Sequence, residues 1–129
     1  MARILKELQF ETRNDVGVLS EVTEALKNSG VNLTHAWACG EGSRGYFGLI
    51  TSDNSRAKKA LKKIGIYPKE IEVLNIRLPN KTGELAKVAK KLSKARISIT
   101  SVAATSGGNG RHVSLLVQTR NNQKARRII

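Results

Sequence analysis

The strongest constraint on this chain is an internal repeat. The segment Asn14-Asp15-Val16-Gly17-Val18-Leu19 has a counterpart 66 residues further on, Asn80-Lys81-Thr82-Gly83-Glu84-Leu85. The correspondence continues with Val22 and Val88, Leu26 and Leu92, Val31 and Ile97, Leu33 and Ile99. In each copy a strand-like run precedes the motif, apolar residues at helical spacing follow it, and a second strand-like run comes next. Self-similarity of this kind implies two copies of one small α/β module. In a chain of 129 residues, a module of about 60–65 residues buries only a thin core and is marginal alone. The copies are therefore expected to pack on each other, on a second chain, or on both.

In the first copy, residues 5–12 alternate, with Leu8 and Phe10 on one side and Gln9 and Glu11 on the other, as in a half-buried strand. Asn14 is expected to cap a helix over about residues 17–28, and Asn28-Ser29-Gly30 to end it. Val31–Cys39 and Gly45–Thr51 are predicted strands of a hairpin turning at Gly40–Arg44. Ser52-Asp53-Asn54-Ser55 caps a second helix with Ala57, Ala60, Leu61 and Ile64 inward, and Gly65 ends it. Ile71–Leu78 is a strand that closes the first copy, opens the second, or does part of each.

The second copy repeats the plan, with a helix from about Gly83 to Ala95, a strand Ile97–Thr105, a turn at Ser106–Gly110 and a strand Arg111–Thr119. Asn121-Asn122-Gln123 starts its second helix, and Ile129 corresponds to Leu61, in mid-helix. The second copy thus lacks the end of that helix and its fourth strand, unless another element fills the gap. Residues 1–70 form the first expected module and 71–129 the second. The order β-α-β-β-α-β is the ferredoxin-like arrangement, an α+β fold whose antiparallel sheet carries its helices on one face.

These residues resemble the ACT domain, a small-molecule sensing module, here in tandem. The carriers are the Asp/Asn-x-Pro-Gly-x-Leu turn, present as Asn14–Leu19 and Asn80–Leu85, and the Gly-Ile-Asn-Ile start of the second strand. The latter stands as Gly30-Val31-Asn32-Leu33 and, more weakly, as Arg96-Ile97-Ser98-Ile99. The usual proline is replaced by Val16 and Thr82, the usual aspartate by Asn14 and Asn80, and the second asparagine by Ser98. The resemblance implies a free amino acid as ligand, bound where one module's turn meets another module's sheet. It also implies a homodimer and an enzyme or regulator as partner. The ligand site it implies comprises Asn14, Asp15, Val16, Gly17, Val18, Leu19 and Asn32. A weaker second site comprises Asn80, Lys81, Thr82, Gly83, Glu84, Leu85 and Ser98. The physics is consistent with this, since a helix start at a glycine turn leaves backbone N–H groups free at the positive end of the dipole, where a carboxylate fits.

Catalysis is not expected. The only histidines are His35 and His112, both in strands, and carboxylates are scarce in the second copy. Nothing has zinc-ligand spacing or a phosphate-binding glycine loop, so no cofactor is expected. The lone Cys39 excludes an internal disulfide and is expected to pack as a small apolar residue. No apolar run of 18 residues exists and Met1-Ala2-Arg3 begins no signal peptide, which points to a soluble, cytoplasmic protein without membrane contact.

The formal net charge of +13 is unevenly placed: residues 1–70 hold 11 Lys and Arg against 8 Asp and Glu, residues 71–129 hold 12 against 2. Solvated lysine faces explain part of this, while nucleic acid is the alternative partner. The RNA-recognition motif shares the element order, and Arg44-Gly45-Tyr46-Phe47-Gly48-Leu49 imitates its basic-Gly-aromatic strand. Gly48 and Thr51 stand at the other two aromatic positions, however, and the second copy's Arg111–Leu116 has no aromatic residue. A structural dimer with a decayed ligand site is the third reading.

Overall fold

The computed structural model describes residues 2–106 and 109–129. The strands are β1 (Ala2–Arg13), β2 (Leu33–Glu41), β3 (Arg44–Thr51), β4 (Lys69–Pro79), β5 (Ile99–Ser106) and β6 (His112–Thr119). The helices are α1 (Val18–Asn28), α2 (Asn54–Lys62), α3 (Glu84–Lys94) and α4 (Asn122–Ile128). The turn expected at Ser106–Gly110 lies partly outside the described residues, at Gly107 and Gly108. The chain packs as two compact units: Lys6–Ile71, and Glu72–Ile129 together with residues 2–5.

In the first unit the strand order is β2-β3-β1, antiparallel throughout, with Leu8 opposite Leu49 and Phe10 opposite Phe47. Alternation sends these four side chains to the helix side, where Val22 and Leu26 of α1 and Leu61 of α2 meet them. Phe10 and Phe47 stack with centroids 4.9 Å apart, a pairing worth about 0.5–1.5 kcal/mol beyond its buried area. Residues 69–71 of β4 complete this sheet on the β1 side.

The second unit repeats the plan with order β4-β6-β5. Leu74, Ile76, Leu115 and Val117 face Val88 and Leu92 of α3 and Ala125 of α4. The missing fourth strand is supplied from the opposite end of the chain. Residues 2–5 of β1 belong to this unit, beside β4, and Ala2 and Ile4 pack against its core. The strand expected around Ile71–Leu78 therefore does part of each copy.

The helix caps obey local rules in most places. Asp53 and Asn121 cap α2 and α4, accepting from the backbone N–H of Arg56 and Lys124 at 3.0 and 3.1 Å. Asn14 does not cap α1, contrary to expectation: Gly17 is the N-cap, with φ +91° and no side-chain cap bond. At the other end of α1, Gly30 (φ +70°) donates to Lys27 and Val31 to Leu26, the paired bonds of a Schellman motif. α3 ends with the same pair of bonds, from Arg96 to Ser93 and Ile97 to Leu92, but Arg96 takes the left-handed position at φ +57°.

Candidate ligand-binding site

The first repeat turn is held by Asn14. Its backbone N–H donates to the Ser43 carbonyl at 2.9 Å and its side-chain Nδ2 to the Gly42 carbonyl at 3.0 Å, fixing the turn to the tip of the β2–β3 hairpin. The side chain lies over Gly40, where a Cβ would come within 2.6 Å of Nδ2. Asn80 makes the matching bonds in the second unit, to Arg111 at 2.8 Å and Gly110 at 2.9 Å. The side-chain Nδ2 thus anchors the turn to the hairpin tip in both copies.

Beyond Asn14, the Val18 N–H donates to Asp15 at 3.3 Å, and Glu21 makes the first helical bond, to Gly17 at 2.9 Å. The N–H groups of Leu19 and Ser20 lie between these two, at the positive end of α1. No atom lies within 4 Å of the position a Gly17 Cβ would take, so this end of the helix is open. A cleft of about 240 Å³ forms here. Asn14, Asp15, Gly17, Val18 and Leu19 make one wall, and Ala38, Cys39 and Gly40 of β2 contribute from another element. Gly45 and Phe47 of β3, with Thr12 and Arg13, complete the lining. Asp15 and Arg13 are paired at 3.3 Å, both largely exposed. Val16 is fully exposed and is not part of the lining.

Asn32 is not in this cleft. It follows α1, whose 11 residues span roughly 16 Å, and lines a separate depression with Thr23, Lys27 and Gly30. Its backbone is locked to Ser52 by reciprocal bonds of 3.0 and 2.9 Å, and the residue is exposed. Ser98 occupies the matching place after α3, accepting from the Arg120 N–H at 3.0 Å. The second turn has a different charge from the first. Lys81 stands where Asp15 stands, Glu84 is paired with Lys87 at 3.1 Å, Thr82 is exposed, and Gly83 repeats the open left-handed N-cap at φ +89°. Leu85, like Leu19, is half-exposed.

The β2 wall was not legible in the sequence, since only strand register places residues 38–40 beside the turn. Cys39 departs from expectation, being exposed rather than packed as a small apolar residue. Its position next to Tyr46 in the β2–β3 register, close to the hairpin tip, explains this.

The sheet face opposite the helices has the wrong features for RNA. Phe47 is in the core, and the Trp37 indole covers Gly48 so closely that a Cβ there would fall on its ring nitrogen. Trp37 Nε1 and Gln9 Nε2 donate to the buried Glu7 carboxyl group at 3.3 and 2.7 Å. Desolvation, then the Glu11 and Glu41 carboxylates, raise the Tyr46 phenol above its ordinary value. Glu11 and Glu41 thus place carboxylates on this face of the first unit, with Arg44 paired to Glu11 at 3.5 Å. Among the described residues no three His, Cys, Asp or Glu side chains gather as a metal site would require. No helix is long and apolar enough to cross a membrane.

Comparison with known proteins agrees with this fold. The structure is similar to that of protein BT0572 from Bacteroides thetaiotaomicron, with 28% identity and a TM-score of 0.89 over 98% of this chain and 87% of that one. It also resembles the ligand-free regulatory subunit of aspartate kinase from Thermus thermophilus, with 15% identity and a TM-score of 0.67 over 98% and 93% of the two chains. Aspartate kinase from Clostridium acetobutylicum matches with 15% identity and a TM-score of 0.60, over 99% of this chain and 33% of the enzyme. No curated protein sequence matches. The family model described as an ACT domain pair matches residues 3–129, and the chain belongs to that family.

Proposed function

We propose that the protein is a non-catalytic regulatory module of the cytoplasm that binds a free amino acid at its first turn. The observation that carries this reading is the cleft of about 240 Å³ at the open, glycine-started end of α1. Its volume is below the roughly 300–1,000 Å³ of sites for drug-sized ligands and suits a molecule as small as an amino acid. The ligand carboxylate lies against the α1 N–H groups, and Arg13 adds a second positive partner. Asp15 takes the ammonium group. The zwitterion thereby replaces the exposed Arg13–Asp15 pair with one complementary to it. Val18, Leu19, Ala38 and Phe47 leave room for a small apolar side chain.

Asn32 joins the site from a second copy of the chain, in a homodimer, where its side chain supplies both an amide donor and an acceptor. The second turn, Asn80 to Leu85 with Ser98, is the weaker site because Lys81 repels an ammonium group. Ligand bound between copies favours one assembly state over another and so changes the activity of a partner enzyme. Regulatory subunits of aspartate kinase among the similar structures support an enzyme as that partner.

The test is a thermal-shift screen against the twenty amino acids, followed by calorimetry. One or two related amino acids at a hundredfold excess over Kd should raise Tm by about 10 °C. The Gly17→Asn variant should abolish the shift. Asparagine tolerates the left-handed backbone and fills the open end, so the variant's own Tm should change little. No shift with any amino acid would sink the reading.

A further inference from the structure

We infer that the outer face of α3 and α4 in the second unit is a docking surface for the phosphate backbone of double-stranded DNA. On α3, Lys87, Lys90, Lys91 and Lys94 are all exposed, at the i, i+3, i+4, i+7 spacing of one helix face, opposite the buried Val88 and Leu92. On α4, Arg126 and Arg127 are exposed beside the buried Ala125. Lys124 reaches the Ala95 carbonyl at 3.2 Å, tying α4 to the C-terminal end of α3. The one carboxylate on these two helices, Glu84, is occupied by Lys87.

The first unit's helices also carry exposed cations, Lys59 and Lys62 on α2 with Lys63 at its C-cap, but these stand among carboxylates. Glu21 and Glu24 lie on α1 and Asp53 caps α2; Lys27 pairs with Glu24, Arg56 with Asp53, and Lys58 with Glu70. Lysines at i and i+4 repel one another, so Lys90, Lys91 and Lys94, which have no carboxylate on α3 beside them once Lys87 takes Glu84, are unfavourable for the helix itself. A net charge of about 2–8 suffices to keep a small domain soluble, and this chain carries +13. The excess sits in the second unit.

The chemistry of the face selects among anions. Residues 72–129 contain no Phe, Tyr or Trp, so bases of a single strand have nothing to stack on. Leu85 is the only large apolar side chain exposed on α3 and α4 among the described residues, which leaves a protein partner without a central apolar or aromatic anchor. A row of point cations fits a regular phosphate array. A helix about 10–12 Å across matches the roughly 12 Å major groove of B-form DNA, whereas the major groove of A-form RNA is too narrow to admit side chains.

Fluorescence anisotropy with the full chain and a mixed-sequence 20-base-pair DNA duplex tests this. Six phosphate contacts should weaken binding about a thousandfold between 50 and 200 mM salt. The triple variant K90Q/K91Q/K94Q should lower the slope of log K against log salt by about 3. K59Q/K62Q/K63Q, on α2 and its C-cap, should leave it unchanged. Both variants should melt within a few degrees of the parent, which separates lost binding from lost folding. Absence of binding at 50 mM salt, or equal loss from the two variants, would overturn the inference. Tighter binding to duplex RNA, to single strands or to poly-glutamate would also overturn it, in favour of another partner.

Discussion

The two units share one design and differ where a ligand or partner would meet them. Both turns use asparagine in the same two hydrogen bonds and start a helix at a glycine with φ near +90°. The first then offers a carboxylate at Asp15, the second an ammonium group at Lys81. At the far end of the first helix, one unit uses Gly30 for the left-handed residue and the other uses Arg96. On the open sheet face the cross-strand partners Gly48 and Trp37 become Leu116 and Ala103, so large and small have exchanged strands. Bonds that define the backbone have been kept, while the side chains around them have diverged. The lesson is that the turn glycines and asparagines hold the backbone in both units, and charge at Asp15 and Lys81 is what separates one turn from the other.

The comparison is broken most forcefully at Gly48. Gly48→Leu places a side chain onto Trp37 and the Glu7 carboxyl group, and overpacking of this kind should cost about 3 kcal/mol in denaturant unfolding. Adding Trp37→Ala imitates the second unit and should make the double variant about 1–2 kcal/mol more stable than additivity allows; strict additivity would refute the exchange. At the turns, Gly17→Ala and Gly83→Ala should each cost about 1 kcal/mol, because both glycines have positive φ and an open Cβ position. Equal losses of stability, with amino-acid binding affected only by Gly17→Ala, would assign the glycines to the fold and the ligand to the first unit.

Smaller effects sharpen the contrast. Arg96→Gly should raise stability by about 0.5 kcal/mol, since relief of the left-handed strain exceeds the added freedom of the unfolded chain. The smallest effect concerns acid. Hydrogen bonds from Asn54 and then Lys58 hold Glu70 below its ordinary value of 4.5. A depressed carboxylate stabilises the fold above its unfolded pKa, and that contribution is lost as pH falls through the lower folded value. Ile4 stands 66 residues before Glu70, at the matching place in the second unit. Glu70→Gln should therefore flatten the acid limb of a stability–pH curve below about 4.5, and an unchanged curve would show that another group dominates.

Much of the fold was legible because its signals are local. Alternation of Leu8 and Phe10, the helical spacing of Val22 and Leu26, and the caps at Asp53 and Asn121 all report geometry within a few residues. Asn14 reads locally as a cap, but its side-chain partner, the Gly42 carbonyl, lies 28 residues away. The cleft was half legible for the same reason. The turn announces itself twice, but Ala38, Cys39 and Gly40 reach it only through strand register.

Sequence alone determined the repeat, the βαββαβ order and the family resemblance, since these rest on periodicity and on residues with obligatory backbone roles. Tertiary structure decided how the second copy is completed. No local rule tells a 12-residue strand that residues 2–5 belong to the unit at the other end of the chain. Only the burial of Ala2 and Ile4 against that core does so, because strand pairing and apolar burial are blind to distance along the sequence.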